Sequence, residues 1–297
     1  MRTLRSVAEL GAALAGPKRE GRVIGLVPTM GAFHDGHLSL MRAARGRCDV
    51  VVVSLFVNPA QFNDVGDLAV YPRDEEEDAA QAAELGVDFL FAPAVDEVYP
   101  PGFATTVSVS GLTDGLEGAA RGRGHFDGVT TVVAKLLNMV GPDVAYFGQK
   151  DAQQAAVVRR LVRDLDVPVA IEVCPTVRAE DGLALSSRNR LLSDADRRRA
   201  TALHRALRQV EQAVAAGERD PEAARAPARG ALAQAGVEPE YLNIVAAQTM
   251  APVETIEGDV LVVIAARVGA VRLIDNLPIS VAGGEGPMKS KPLSRAV

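Results

Sequence analysis

The sequence predicts an α/β protein: a doubly wound parallel sheet of Rossmann-like type over residues 1–176, followed by a smaller α+β domain over 177–282. Three observations carry that prediction. Apolar runs of strand length alternate with helical stretches of roughly 10 to 15 residues, as right-handed βαβ units require. The run CDVVVVSLFV is so continuously apolar and β-branched that it suits a strand buried on both faces of a parallel sheet. Beyond residue 176 the texture changes to one long helical stretch, an Ala-rich stretch and two further apolar runs.

Taken in order, MRTLRSVAELGAALAG reads as an amphipathic helix, and RVIGLVPTM as a strand ended by Pro and Gly. DGHLSLMRAARGRC spaces Leu38, Met41 and Ala44 as a helix does. RDEEEDAAQAAELG is a helix whose acidic start suits the dipole, closed by Gly86. VDFLFAPAV is a strand, GVTTVVAKLLNMVG a helix with a capping glycine, PDVAYFGQKD a strand with a polar end, DAQQAAVVRRLVRDLD a helix and VPVAIEVCPTV a strand. In the second domain Ser193 is placed to cap a long helix, SDADRRRATALHRALRQVEQAVAAGE. EYLNIVAA and GDVLVVIAARVGAVRLIDNLPI read as strands, and residues 283–297 as a disordered tail.

Composition narrows the function. The 297 residues carry a net charge of −6, which argues against nucleic acid as a partner. No apolar run reaches the roughly 18 residues of a membrane helix, and the start lacks the continuous apolar stretch of a signal peptide. The two cysteines, Cys48 and Cys174, lie too far apart to suggest a metal motif or a disulfide framework. A cytoplasmic globular protein is expected. Arginine dominates the basic residues, so a lysine in the body of the chain, such as Lys150, stands out as needed for itself.

In an open α/β sheet ligands bind beyond the carboxyl ends of the strands, and the polar strand ends here are PTMGAFHDGH, NPAQF, GQKDAQQ and PTVRAEDGLALSSRNR. The first lacks G-x-G-x-x-G, which disfavours a dinucleotide. It offers instead His34 and His37 at a helix start, where backbone N–H groups and the helix dipole attract phosphate, with Gly31 and Gly36 allowing close approach. A His pair without a nearby acidic or Cys set is a poor zinc site, and surface histidines are the plain alternative. Lys150 beside Asp151 can balance phosphate charge, or be a solvated pair. Ser186, Ser187, Arg188 and Arg190 can clamp a triphosphate. Gln61 and Gln154 are neutral hydrogen-bonding groups suited to a small polar acid or amide. The carboxylates of EEED, 75–78, can hold magnesium through water or simply begin a solvated helix. RGRGHFDG, with Arg121, Arg123 and His125, reads as a Gly-rich cationic lid or a turn. MKSK near the end and His204 in the long helix are set aside as unrelated to the site.

These segments, PTMGAFHDGHLSL, VSLFVNPAQF, YPRDEEED, GHFDGV, PDVAYFGQKDAQQ and PTVRAEDGLALSSRNRLL, stand in an order that resembles the pantothenate synthetase family, a branch of the H-I-G-H nucleotidylyltransferases, from about residue 20 to 280. The resemblance implies ATP as a substrate, bound by Met30, Gly31, His34, His37, Gly148, Lys150, Asp151, Val177, Leu185, Ser186, Ser187 and Arg188. It implies His37, His34 and Lys150 as catalytic groups, with His37 the family's proton donor. Gln61 and Gln154 would hold pantoate, with Gln61 also near β-alanine, and Asp78, Glu77 and Gln81 would help to hold Mg2+. A homodimer is implied as well. Leu185 stands where the family has Met, Gln149 where it has Glu, Glu77 where it has Asp, and RGRGHF carries one residue more than R-P-G-H-F, leaving Arg121 and Arg123 both open for that role.

The expected reaction condenses pantoate with β-alanine through pantoyl adenylate, releasing pyrophosphate and AMP, with the smaller domain closing as a lid hinged near residues 176–182. A nucleotidylyltransferase acting on a phosphorylated acceptor is the alternative. Its pocket would need extra cations where Gln61 and Gln154 are neutral, and its product would be a dinucleotide. An inert nucleotide-binding protein would bind ATP without turnover.

Overall fold

The structure is a computed structural model and describes residues 1–63 and 65–281. The chain divides into two compact units, one from Met1 to Arg197 and one beginning at Arg198. The expected tail, 283–297, lies outside the described residues. No described helix is long and apolar enough to cross a membrane.

In the first unit the order is β1 (Arg2–Leu4), α1 (Val7–Arg19), β2 (Ile24–Thr29), α2 (Asp35–Arg45), β3 (Val50–Leu55), α3 (Val65–Val70), α4 (Glu75–Glu84), β4 (Phe89–Phe91), α5 (Val95–Val98), α6 (Glu117–Arg121), α7 (Arg123–Val140), β5 (Val144–Gly148), α8 (Ala152–Asp164) and β6 (Ala170–Cys174). The six strands form one parallel sheet, ordered β1-β4-β3-β2-β5-β6. Its centre is apolar because β2 and β3 are covered on both faces: Leu26, Val27, Val51, Val52 and Val53 are fully buried. Val27, Met41, Val53, Leu90 and Tyr146 belong to one apolar cluster that locks α2 and α4 onto the sheet.

Within the sheet and its helices the sequence reading needs correction near the first strand and at RGRGHFDG. The first residues are not helical: Arg2–Leu4 pairs with Phe89–Phe91 as an edge strand, and the helix begins only after Ser6. A capping box sets that start. Ser6 Oγ accepts the Glu9 N–H (3.1 Å), and the Glu9 carboxylate accepts the Ser6 N–H (3.1 Å). RGRGHFDG is not a lid loop either. Arg121 ends α6, Gly122 breaks the chain at φ 79°, and α7 has already begun at Arg123. Of its glycines, Gly122 supplies the left-handed break and Gly128 is there for packing. A Cβ on Gly128 would lie 2.3 Å from the Ala60 carbonyl oxygen, so only glycine lets α7 approach the 3-10 turn Pro59–Gln61 this closely.

The first unit continues past β6. Val177 and Leu185 are joined by a backbone hydrogen bond (3.0 Å) across a short hairpin, and the Arg197 guanidinium holds Asp181 at 2.6 and 3.1 Å. The division therefore falls after Arg197 rather than at 176. The second unit contains most of α9 (Asp194–Ala215), then α10 (Pro221–Gln234) and an antiparallel sheet of β7 (Pro239–Ala246), β8 (Gly258–Val268) and β9 (Val271–Val281) in that order. Ser193 accepts the Asp196 N–H at 3.2 Å, as its capping position predicts.

Candidate functional site

The strand order reverses between β2, whose successor β3 lies on one side, and β5, which lies on the other. That reversal opens a crevice at the carboxyl ends, where α/β sheets take ligands. The turn after β2 carries Met30 to His37 and the turn after β5 carries Gly148 to Asp151, so the fold places these two stretches side by side. Every residue assigned to the site from the sequence lies in the first unit.

His34 caps α2 with its own ring, Nδ1 accepting the Gly36 N–H at 3.1 Å. A neutral ring held this way carries its proton on Nε2, which is left as a donor. A Cβ on Gly36 would lie 2.7 Å from His34 Cε1, so a side chain there would push the capping ring aside. The His37 ring stacks on His34 at 4.2 Å between centroids and lies 5.6 Å from Phe33. His37 Nδ1 is buried with no hydrogen-bond partner among the described residues. Burial, then the nearby Lys150 charge, pushes His34 down to about 4; burial, then His34, pushes His37 down to about 3. Both rings are thus neutral at pH 7, each carrying one N–H.

The expected result is that the Cε1 proton resonances of His34 and His37 hold their neutral positions from pH 8 to about 5, with titration near 6.5 as the contrary outcome. The sign for stability follows from these lowered values. The unfolded chain takes up protons as pH falls below about 6.5 while the folded chain resists until about 4 and 3, so these rings withdraw stability as pH falls through that window.

Lys150 Nζ lies 3.5 Å from Asp151 Oδ1, and both charges act on His34, which places the β5 turn beside the imidazoles. Arg190 acts on His34 too, so the loop after the hairpin reaches the same point. In that loop Ser186 Oγ accepts the Arg188 N–H (3.3 Å), starting the 3-10 turn Ser187–Leu191. The Tyr71 hydroxyl is hydrogen-bonded to Ser187, and its ring stands edge-on to Phe62 at 5.6 Å. The hairpin brings Val177 and Leu185 together at the base of this loop.

Gln61 is oriented rather than loose. Asn58 Nδ2 donates to Gln61 Oε1 (3.0 Å), Tyr99 OH donates to Asn58 Oδ1 (2.8 Å), and Gln61 Nε2 points at Met30 Sδ (3.0 Å). Gln61 thus has its oxygen fixed by Asn58 and its amide N–H2 turned toward Met30 in the turn after β2. The His125 ring meets the Gln61 carbonyl oxygen through Nδ1 at 2.8 Å. Of the two glutamines in α8, Gln153 is buried and spent on Glu117, Leu112 and Gly115, whereas Gln154 is half-exposed. Arg121 turns inward onto Glu117 (2.8 Å) and acts on His125, while Arg123 is 80% exposed with Asp114 at 3.9 Å. Arg121 is thus the inward-facing arginine of that stretch and Arg123 the exposed one.

Asn58, Tyr99 and Tyr71 were missed in the sequence. Asn58 carries a legible signal, since Asn before Pro is a capping position and it accepts the Ala60 N–H at 3.2 Å. Tyr71 opens the segment YPRDEEED but is given no role there, and Tyr99 carries no signal. The acidic set does not fit a magnesium ion: Asp78 is 2% exposed with one backbone N–H on each carboxylate oxygen, and exposed Glu77 is held by Gln81 at 3.2 Å. Among the described residues no three His, Cys, Asp or Glu gather as a metal site.

The sequence profile described as pantoate–β-alanine ligase matches residues 2–278. The chain belongs to the pantoate–β-alanine ligase family. The pantothenate synthetase of Cereibacter sphaeroides is 56% identical over 277 residues, covering 93% of this chain and 99% of that one. That of Moorella thermoacetica is 52% identical over 95% of this chain and 99% of that one. The crystal structure of pantothenate synthetase from Thermus thermophilus superposes with a TM-score of 0.89 at 49% identity, covering 93% and 99%. The pantoate–β-alanine ligase from Francisella tularensis, complexed with β-γ ATP and β-alanine, gives a TM-score of 0.78 at 34% identity over 93% and 97%. As a member of this ligase family, the chain is an enzyme that forms a carbon–nitrogen bond.

Proposed function

We propose that the chain condenses pantoate with β-alanine to pantothenate through pantoyl adenylate. The observation that carries the reading is one crevice that collects two neutral imidazoles, a lysine and the Ser-Ser-Arg loop beside the oriented Gln61 amide. In the first step the pantoate carboxylate oxygen attacks the α-phosphorus of ATP, and the bond to the β-phosphate oxygen breaks to release pyrophosphate. In the second the β-alanine amine attacks the acyl carbon, the C–N bond forms, and AMP leaves with the electron pair of the broken C–O bond.

Charge grows on phosphate oxygens in the first step. His34 and His37 N–H groups, Lys150, Ser186, Ser187 and Arg188 would meet it, while Met30, Gly31, Gly148, Asp151, Val177 and Leu185 border the nucleotide. The approaching phosphate charge would raise both imidazole pKa values, readying His37 as the proton donor. Gln61 and Gln154 would grip pantoate. Orientation and electrostatics suffice, since no side chain is needed as a nucleophile. Magnesium belongs to this reading as an ion carried on the ATP phosphates, and the enzyme would work as a homodimer in the cytoplasm.

The test is AMP release from magnesium ATP with each acid left out in turn. AMP is expected only with both acids present, and labelled pyrophosphate should exchange into ATP with pantoate alone. A dinucleotide product from a phosphorylated acceptor, or ATP binding with no exchange, would replace the ligase reading.

A further inference from the structure

We propose that Asp78 is a positioning residue, whose buried carboxylate holds the turn Gly31–Phe33 in the shape that sets His34 and His37, and that it is not a magnesium ligand. The functional readout rests on the ligase reading above; the geometry does not.

The turn has an awkward backbone. Gly31 sits at φ 87° and Ala32 at φ 53°, the left-handed region that a side chain at 32 disfavours. Gly31 is also confined, since a Cβ there would meet Asp78 Oδ2 at 2.9 Å. Such a conformation persists only where neighbours over-determine it. Asp78 supplies that: Oδ2 accepts the Ala32 N–H at 2.8 Å and Oδ1 the Phe33 N–H at 2.7 Å, two consecutive amides on the two oxygens of one carboxylate. Without it both buried amides lose their acceptor. Helical geometry aims the group. Asp74 caps α4 by accepting the Glu77 N–H (3.0 Å), and at this start Asp78 faces the core while Glu77, one residue earlier, faces solvent. Burial raises the Asp78 carboxyl while the two amide bonds favour its charged form. The next residue after the braced pair is the helix cap His34, whose ring touches that of His37, so a shift of the turn moves both imidazoles.

The experiment compares the native enzyme with Asp78→Asn, Glu77→Gln and the double variant Asp78→Asn with Ala32→Gly, each titrated with magnesium in the pyrophosphate exchange assay. Asp78→Asn keeps the size but turns an N–H2 toward one amide. Exchange at saturating substrates should fall about a hundredfold, because displaced reacting groups cost on that order, while the magnesium concentration for half-maximal rate stays unchanged. Glycine at 32 frees the left-handed backbone, so the double variant should regain about tenfold over Asp78→Asn. Glu77→Gln should stay within about twofold of native, its carboxylate being a surface group. A manganese spectrum of the nucleotide-free native enzyme should show only free ion.

Several results overturn the proposal: full activity in Asp78→Asn, recovery of that variant by excess magnesium, a raised magnesium requirement in Glu77→Gln, or manganese that native protein binds and Glu77→Gln releases. If Asp78→Asn fails to melt cooperatively, the Glu77→Gln titration and the manganese spectrum decide. If the native enzyme exchanges nothing, the ligase reading fails, and the manganese arm still decides the metal question.

Discussion

Replacing Lys150 by alanine lowers pyrophosphate exchange about a hundred- to a thousandfold, the range for removing one preorganised group that meets charge developing in a transition state. The lysine sits at the end of β5, 21% exposed, with Asp151 Oδ1 at 3.5 Å. Deleting it removes a cation from the crevice and leaves the Asp151 anion in place. The second consequence is specific. Lys150 lowers the His34 pKa and Asp151 raises it, so in Lys150→Ala the His34 resonance should begin to titrate above its native value of about 4. A drop in rate with no upward movement of His34 would mean that the loss came from misfolding of the turn rather than from the charge. Lys150→Arg should not restore the rate, because a planar guanidinium cannot occupy the place of a compact ammonium on a phosphate.

The parts of this site that were legible in the sequence are those whose chemistry is local. The run through Val50–Leu55 could only be a buried strand, and the His-x-x-His turn, the Gln-Lys-Asp turn and the Ser-Ser-Arg loop each announced polar groups at strand ends. The three-residue strand Arg2–Leu4 was not legible, because it owes its shape to Phe89–Phe91, far along the chain. Asp78 looked like one carboxylate in an acidic run, and only the packing of α4 on the turn after β2 shows that it points inward. Gln153 and Gln154 are adjacent and chemically equal; which one stays half-exposed depends on where Glu117 and the carbonyls of Leu112 and Gly115 lie. The glycines of RGRGHFDG suggested a loop by propensity, and tertiary packing overrode it.

Those glycines supply the other large effect. Gly128→Ala should both destabilise the enzyme and raise the KM for pantoate, whereas Gly124→Ala, one helical turn earlier in α7, should do neither. A methyl at 128 would stand 2.3 Å from the Ala60 carbonyl oxygen and 2.6 Å from the Gln61 backbone nitrogen, so α7 or the Pro59–Gln61 turn has to move. Overpacking against backbone costs typically about 1–3 kcal/mol, a loss of several degrees in melting temperature. The movement also reaches function. The Gly128 carbonyl accepts from Asn58 Nδ2 (3.1 Å), and the same Asn58 amide fixes Gln61 Oε1 (3.0 Å), so displacement at 128 undoes the orientation of the Gln61 amide. At 124 the nearest atom to a new methyl is Asn63 Oδ1 at 3.7 Å, an ordinary contact, and alanine there improves helix propensity by up to about 1 kcal/mol. The pair separates two explanations for the glycines in this stretch. If Gly124→Ala proved as damaging as Gly128→Ala, the segment would need flexibility rather than close approach. If only Gly128→Ala raised KM, the role of the glycine would be to seat α7 on the turn that aims Gln61.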